Sequence, residues 1–144
     1  MNINARAPML LSDQFHDRHA GGEGLIVNLL DAKLSAPNPD YLSYTLSKYA
    51  LAGLTELAAR AMAQSGIRVN AIAPALMLPS GEQGEANFEA VHYLNPLHRG
   101  IEVGDVVAAL RFLIDSGGMT GQTLGLDGGQ RFMALARDVQ FLEG

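Results

Sequence analysis

The chain has 144 residues, of which 48% are hydrophobic and 17% are charged, and this suits one domain with a single core and large buried surfaces. Its net charge is −5 and its ten basic residues are scattered, which excludes a nucleic-acid surface, and the lack of cysteine excludes disulfides and thiolate chemistry. No apolar run reaches the roughly 18 residues that a membrane span needs, and no signal-peptide pattern is present, so we expect a cytoplasmic protein without a membrane partner.

The first part of the sequence predicts a helix followed by a buried strand. Residues 5–20 have apolar side chains at helical spacing, and three glycines between positions 21 and 24 then interrupt the pattern. The run LIVNLL at 25–30 is short and nearly all apolar, which is typical of a strand in a parallel sheet. Asp31 follows at the carboxyl end of this strand.

A loop and a long helix come next. Residues 32–40 contain two prolines, an asparagine and an aspartate, and the last of these, Asp40, is the predicted N-cap of the helix. The helix covers about 41–64, and Gly66 stands where a helix C-cap belongs. The apolar positions that repeat at helical spacing are Leu51, Leu54, Ala58 and Met62.

The second half of the sequence predicts two more strands and one more long helix. Residues 67–73 form the second strand, and residues 122–126 form the third. Residues 103–116 predict a helix with one apolar side. This side comprises Val106, Val107, Leu110 and Leu113. Residues 75–100 are irregular apart from a short helix near 85–93, and an irregular segment of this length is typical of a lid over a binding site.

Strands that alternate with helices predict a parallel sheet with helices on its faces, in a single α/β domain over the 144 residues. Ligands of such sheets bind outside the carboxyl ends of the strands. Asp31, residues 74–79 and residues 127–129 fall at such ends. Tyr44 and Lys48 open the helix after the first of these loops, so both can face the same cleft. Their spacing of four also fits two residues on an ordinary helix surface.

Three motifs carry a resemblance to a known family. They are YTLSK at 44–48, GIRVNAIAP at 66–74 and TGQTLGLDGG at 120–129. Together they resemble the short-chain dehydrogenase/reductases over about residues 4–129. The resemblance implies a Rossmann-type fold of three layers and an oxidoreductase activity.

The resemblance also implies roles for individual residues. Tyr44 would donate or accept the proton, and Lys48 would hold the nicotinamide ribose and lower the pKa of the tyrosine by its positive charge. Asn4 would kink its helix and support a proton relay through water. The residues that would join Tyr44 and Lys48 in binding the cofactor are Pro74, Ala75, Leu76 and Met77.

Position 31 departs from the usual pattern of the family. The family usually has a serine thirteen residues before the tyrosine, where this sequence has Asp31 in the run NLLDA. This aspartate, with the asparagine of NARAP, is similar to the pteridine reductases and dihydromonapterin reductases, which favour NADP(H) over NAD(H). An ionised carboxylate only accepts hydrogen bonds, so it suits the N–H groups of a nitrogen heterocycle better than a carbonyl oxygen. We therefore expect a reductase whose small-molecule substrate is a pteridine-like C=N or a carbonyl.

The sequence matches only part of the family's pattern. The glycine-rich turn TGxxxGxG and the NNAG strand end are absent, so the chain resembles the C-terminal half or more of a longer protein, without the N-terminal strands and helices of the full fold. Two alternatives therefore stay open. One is a catalytically inactive fragment or partner subunit, and the other is a carbonyl, alcohol or 3-oxoacyl dehydrogenase.

Three further expectations concern metals, oligomers and the lid. The four histidines lack the spacing of metal ligands, so we expect no metal site. The 41–64 helix has small residues, including Gly53, on a second face. The resemblance implies that this helix joins subunits. We therefore expect a homo-oligomer, either a dimer or a tetramer. The lid residues that either pack the loop or contact the substrate are Met77, Leu78, His92 and Tyr93.

Overall fold

The computed structural model describes residues 1–79 and 83–142, and in these ranges it has four α-helices and three strands. The helices are α1 (Ala7–Arg18), α2 (Leu42–Met62), α3 (Glu85–His92) and α4 (Val103–Asp115). The strands are β1 (Gly24–Leu29), β2 (Ile67–Pro74) and β3 (Thr123–Leu126). Within the described ranges, no helix has both the length and the apolar character to cross a membrane.

The three strands form one sheet in the order β1-β2-β3, and both neighbouring pairs are parallel. Gly24 of β1 aligns with Ile67 of β2, and Ala71 of β2 aligns with Thr123 of β3. Each connection between strands contains at least one helix, as parallel pairing requires. The predicted parallel α/β fold is confirmed.

The core lies on both faces of β2. Val69 belongs to an apolar cluster with Ala58 of α2, whereas Ile72 belongs to a cluster with Leu113 of α4. Successive side chains of a strand point to opposite faces of the sheet, so two residues three apart face different sides. The two helices therefore cover opposite faces, and the molecule has the three predicted layers of helix, sheet and helix.

The buried stripe of α4 is narrower than the predicted apolar side. Leu113 is fully buried, and Val106 packs against the same cluster. Val107 and Leu110 are exposed, and Ala109 takes the buried position between them. Ala109 lies three residues after Val106 and four before Leu113, so these three share one face of the helix.

Gly66 closes α2 as predicted. A short 3-10 turn, Ala63–Ser65, follows the helix, and Gly66 then adopts a left-handed conformation with φ 74°. A Cβ at this position would lie 2.5 Å from the carbonyl oxygen of Gly22. Only glycine fits both the conformation and the close approach, so the chain can turn directly into β2.

The prediction that Asp40 caps α2 is wrong. Tyr41 occupies the N-cap position with φ 54°, and no side chain caps the first turn. Asp40 instead accepts hydrogen bonds at 3.0 and 2.8 Å from Arg137 Nε and at 2.8 Å from the backbone N–H of Asp138. The bonds from Arg137 join two ionised groups, so the tertiary partners occupy the carboxylate.

The irregular segment after β2 contains the predicted short helix, which is α3. Val91 of α3 is fully buried, and the His92 Nδ1 atom lies 3.1 Å from the Leu76 carbonyl oxygen. Residues 80–82, which the 75–100 prediction includes, lie outside the described residues. The role of this segment as a substrate lid stays a prediction.

Candidate active site

The carboxyl ends of the strands open onto a cavity of about 480 Å³, within the size range of small-molecule sites. Asp31 after β1, residues 74–78 after β2 and Tyr44 of α2 line it. In the predicted third loop, Asp127 also lines this cavity, whereas residues 128–129 line a separate hollow. The cleft predicted from the strand ends is therefore present.

Asp31 and Tyr44 contact each other directly at this cavity. The Tyr44 hydroxyl donates a hydrogen bond of 2.7 Å to Asp31 Oδ2. The other oxygen, Asp31 Oδ1, accepts at 2.8 Å from the backbone N–H of Lys33 and so caps the short 3-10 turn Ala32–Ser35. One carboxylate therefore fixes the loop after β1 and holds the phenol at the same time.

The surroundings of Tyr44 raise its pKa above the ordinary value of 10.0. Partial burial is the largest cause, followed by the negative charge of Asp31 and by the hydrogen bond to it. All three causes favour the neutral phenol over the phenolate. The predicted lowering of the Tyr44 pKa by Lys48 does not set the direction of the shift here, because burial and the Asp31 carboxylate both act in the opposite direction.

Lys48 lies beside the same pair but donates elsewhere. Its Nζ atom donates a 2.8 Å hydrogen bond to the carbonyl oxygen of Leu29 and lies 5.6 Å from the centroid of the Tyr44 ring. Burial lowers the pKa of Lys48 below 10.5, while the charge of Asp31 opposes this effect. An ammonium group has three N–H donors. Within residues 1–79 and 83–142, the Lys48 ammonium donates one hydrogen bond, the one to Leu29.

Asn4 reaches Tyr44 only through an intermediate residue. It lies in a π-helical turn, Asn2–Arg6, that leads into α1, so the helix is irregular where a kink was predicted. The Asn4 Nδ2 group donates at 3.1 Å to Ser47 Oγ, and the Ser47 hydroxyl donates at 2.6 Å to the Tyr44 carbonyl oxygen. Asn4 does not line the cavity. Its role in a proton relay stays a prediction.

The loop after β2 is the second wall of the cavity. The four predicted cofactor residues of this loop line it, and so do Leu78 and the predicted Tyr44, whereas the predicted Lys48 does not. These four are Pro74, Ala75, Leu76 and Met77. His92 and Tyr93 of the predicted lid do not line the cavity: His92 stacks on Phe88 with the ring centroids 4.6 Å apart, and Tyr93 is more than half exposed.

Sequence reasoning missed the third wall, which comes from the end of the chain. Leu135, Asp138 and Val139 line the cavity, and so does Lys33 from the loop after β1. The Lys33 side chain is 8% exposed, and its Nζ donates at 3.0 Å to Asp138 Oδ2. The two residues are 105 positions apart in sequence, so no local pattern could have paired them.

The histidines pack or contact nearby groups. His16 Nε2 lies 3.0 Å from Ser65 Oγ, and His19 Nε2 lies 3.3 Å from the Gly22 carbonyl oxygen. The described ranges contain no group of three or more His, Cys, Asp or Glu that could hold a metal ion.

Comparison with protein-family models gives one match over most of the chain. A model described as enoyl-(acyl carrier protein) reductase matches residues 1–131. This range includes the three motifs, Asp31 and the whole sheet, but it stops before the C-terminal wall of the cavity.

Several curated proteins are similar to the chain. Carbonyl reductase family member 4 of Danio rerio is 36% identical over 110 residues, and pteridine reductase 1 of Leishmania tarentolae is 36% identical over 118. Dihydromonapterin reductase of Enterobacter sp. (strain 638) is 31% identical over 135 residues. These matches cover 76%, 74% and 90% of this chain but only 46%, 41% and 55% of the relatives. The chain thus spans about half the length of the relatives it matches.

A solved structure agrees with both the fold and the resemblance. FolM alternative dihydrofolate reductase 1 from Brucella canis, complexed with NADP, superimposes with a TM-score of 0.83 at 38% identity. The match covers 88% of this chain and 51% of that one. The predicted Rossmann-type fold and the predicted likeness to pteridine and dihydromonapterin reductases are confirmed.

Proposed function

Because the chain belongs to the short-chain dehydrogenase/reductase family, we propose that it supplies the proton-transfer and substrate-binding part of an NADP(H)-dependent reductase that acts on a pteridine-like C=N. The observation that carries the proposal is the 2.7 Å hydrogen bond from Tyr44 to Asp31 at the wall of a cavity of about 480 Å³. A phenol and a carboxylate within hydrogen-bond distance can together deliver a proton to a ligand in that cavity.

The residues in and beside the cavity fit the nicotinamide end of NADP(H). Lys48 does not line the cavity itself but lies beside Tyr44, which does; it uses one of its three donors on Leu29, and the others are suited to ribose hydroxyls. Residues 74–77 offer a mainly apolar wall of the kind that holds a planar ring. When bound, the cofactor supplies the hydride. The preference for NADP(H) over NAD(H) is supported by the similar Brucella canis structure, which is an NADP complex.

Tyr44 acts as the proton donor in the direction of reduction. The phenol is protonated near neutral pH, and its raised pKa holds the proton until the substrate nitrogen gains electron density. The phenol gives its proton to that nitrogen, and the partly exposed phenolate oxygen then regains one from solvent. Lys48, 5.6 Å from the ring, stabilises the transient phenolate against the charge of Asp31.

Asp31 favours a nitrogen heterocycle over a simple carbonyl. Each carboxylate oxygen has about two acceptor positions, and the bonds from Lys33 N–H and Tyr44 each use one. The remaining positions can accept N–H groups of a ring. A ketone has no N–H to offer to these positions. The names of the similar pteridine and dihydromonapterin reductases support the same choice.

Carbonyl reduction is the second candidate. The similarity to carbonyl reductase family member 4 and to the enoyl-(acyl carrier protein) reductase model supports it. In this case the substrate oxygen would take the Tyr44 hydroxyl hydrogen bond from Asp31. The Asp31→Ser variant separates the two candidates, since it provides a donor where the chain now has an acceptor.

Association of two or more copies through α2 belongs to the same proposal. Leu46 and Leu57 of α2 are more than half exposed, and in the described part of the chain nothing lies within 4 Å of a Cβ built at Gly53. A second copy can therefore approach this face closely and bury it. Light scattering should give a dimer or a tetramer, and a monomer would contradict this part of the proposal.

The segment 75–100 serves as the substrate lid in this proposal. Residues 75–78 already line the cavity, and His92 links α3 to Leu76. Binding of a pteridine should therefore slow amide exchange in α3, measured by hydrogen exchange with and without ligand. Unchanged exchange in α3 with bound ligand would contradict a lid.

The activity test combines cofactor binding with turnover. NADPH fluorescence should change on addition of the chain, and NADPH oxidation should follow on addition of a dihydropteridine, with Tyr44→Phe reducing turnover by roughly a hundredfold or more. If the 144-residue chain binds no NADPH while a longer polypeptide that includes a glycine-rich turn does, the isolated chain is not the catalyst. Loss of dihydropteridine turnover in Asp31→Ser supports the first candidate, and retained or faster ketone turnover in that variant supports the second.

A further inference from the structure

The C-terminal segment, residues 135–142, forms a wall of the cavity that the family resemblance does not explain. The matched family model ends at residue 131, and the last motif ends at residue 129. Leu135, Asp138 and Val139 nevertheless line the same cavity as Tyr44. Any substrate selectivity that these residues cause therefore does not come from the motifs shared with the family.

Several contacts hold this segment against the start of α2. Arg137 forms an ion pair with Asp40, and the backbone N–H of Asp138 donates to the same carboxylate at 2.8 Å. The Tyr41 hydroxyl donates to Gln140 Oε1 at 2.8 Å, and its ring stacks on Phe141 with centroids 5.7 Å apart. Asp40 and Tyr41 therefore hold the C-terminal segment immediately before the first turn of α2, which contains Tyr44.

The Asp138 carboxylate retains acceptor capacity. Its Oδ2 atom accepts from Lys33 Nζ at 3.0 Å, and its Oδ1 atom accepts from the Gln140 backbone N–H at 3.3 Å. A carboxylate has about four acceptor positions, so roughly two remain. The side chain is 22% exposed and lines the cavity, so a ligand there can reach it.

The cations on the cavity wall are already bound to acidic partners. Arg131 donates to Asp127, which also accepts from the backbone N–H groups of Gly129 and Arg131. Lys33 donates to the Asp40 carbonyl oxygen as well as to Asp138. Of the lining carboxylates, Asp31 and Asp138 accept two bonds each and keep about two acceptor positions, whereas Asp127 accepts three and keeps about one. A ligand with N–H donors at two points complements this arrangement, and a ketone does not.

We propose that Asp138 determines substrate specificity by accepting an N–H hydrogen bond from the amino-substituted ring of the substrate, at a second point from Asp31. This inference rests on the proposed pteridine-like substrate. An exocyclic amino group is the N–H donor that distinguishes a 2-aminopteridine from its 2-oxo counterpart, so Asp138 selects the amino form. Lys33 positions the carboxylate through its hydrogen bond of 3.0 Å to Oδ2.

The test compares two ligands that differ at position 2 of the ring and, as a result, at the adjoining ring nitrogen N1, which carries a hydrogen in lumazine and none in pterin. Pterin carries an amino group at the ring position where lumazine carries a carbonyl oxygen, and ligand fluorescence reports the binding of both. The parent chain should bind pterin more tightly than lumazine. Asp138→Asn should reduce the ratio of the lumazine dissociation constant to the pterin dissociation constant by roughly tenfold or more. Asp13→Asn, the same change at an exposed position of α1, should leave the ratio unaltered.

Loss of the partner of the buried Lys33 could unfold the Asp138→Asn variant, so two further measurements decide the case. The double variant Lys33→Met with Asp138→Leu replaces the ion pair by apolar groups of similar size, which a fold tolerates better than one unpaired charge. It should keep the circular dichroism of the parent and lose the preference for pterin. In the unaltered chain, the Asp138 carboxyl carbon should shift in the NMR spectrum with pterin but not with lumazine.

The outcomes separate this inference from the proposed function. If the parent chain prefers pterin and the preference survives in both Asp138 variants, or if the Asp138 carbon does not respond to pterin, the specificity role is overturned while the pteridine proposal stands. If the parent chain binds neither ligand at all, the pteridine proposal is overturned and the role of Asp138 with it.

Discussion

Replacing Asp31 by asparagine should lower the pKa of Tyr44. The substitution removes the negative charge that faces the phenol and leaves the size of the side chain nearly unchanged. In the structure, Tyr44 donates to Asp31 Oδ2 at 2.7 Å and the backbone N–H of Lys33 donates to Oδ1 at 2.8 Å. An asparagine carbonyl oxygen can keep one of these bonds, so the turn after β1 can survive the change.

The size of the effect follows from the charge that is removed. Two unit charges about 4 Å apart near a protein surface interact by roughly 4 kcal/mol, and about 1.36 kcal/mol corresponds to one pH unit, so the ceiling is about 3 pH units. Tyr44 is 38% exposed, and water therefore screens the charge of Asp31. A decrease of roughly 1 to 2 pH units is expected after this screening. Burial, the largest cause of the raised pKa, remains in the variant.

The pKa can be followed by the ultraviolet absorbance of tyrosinate during an alkaline titration. The chain has four tyrosines, so the signal of Tyr44 is obtained as the difference from a Tyr44→Phe chain with the same substitution at position 31. Asp13→Asn is the matched control, because Asp13 is exposed on α1 and is not among the groups that raise the pKa of Tyr44, so its removal should leave that pKa unchanged. A Tyr44 pKa that is unchanged or higher in Asp31→Asn would refute the electrostatic reasoning.

Three further outcomes test the fold. Leu113→Ala should destabilise the chain by about 2–5 kcal/mol in urea unfolding, because Leu113 is fully buried. Leu110→Ala, on the exposed side of α4, should destabilise it by less than about 1 kcal/mol. Equal losses of stability would contradict the narrow buried stripe. Gly66→Ala should cost at least roughly 1–2 kcal/mol in the same assay, because φ is 74° and the new Cβ would meet the Gly22 carbonyl, and a neutral result would contradict the capping role. The bonds from Arg137 and from the Asp138 backbone N–H lower the pKa of Asp40 below its ordinary 3.8. The ionised carboxylate therefore stabilises the fold above pH 3.8, and this stabilisation is lost as the pH falls further. The melting temperature of Asp40→Asn should therefore fall less below pH 3.8 than that of the parent.

Local patterns were sufficient to predict the elements and the central pair of the site. The helical spacing of Leu51, Ala58 and Met62 identifies α2, because one face of a helix must be apolar to be buried. The apolar run before Asp31 identifies β1. Asp31 and Tyr44 could then be expected in one cleft, since both follow the carboxyl end of the same strand.

Contacts between distant parts of the chain could not be predicted in the same way. Asp40 has the residue type and position of a helix cap, yet its partners are Arg137 and Asp138, nearly a hundred residues away. Lys33 and Asp138 are 105 residues apart. Sequence spacing contains no information about such pairs, because they depend on how the C-terminal segment folds back over the sheet.

The sequence by itself therefore determined the order of helices and strands and which side chains could do chemistry, because these depend on residue type and on periodicity over a few residues. Only the tertiary structure decided the direction of the Tyr44 pKa shift and the third wall of the cavity. Burial of the phenol and the carboxylate that accepts its hydrogen bond at 2.7 Å both act through space and raise the pKa of Tyr44, although Lys48 is nearer to it in sequence than Asp31 is.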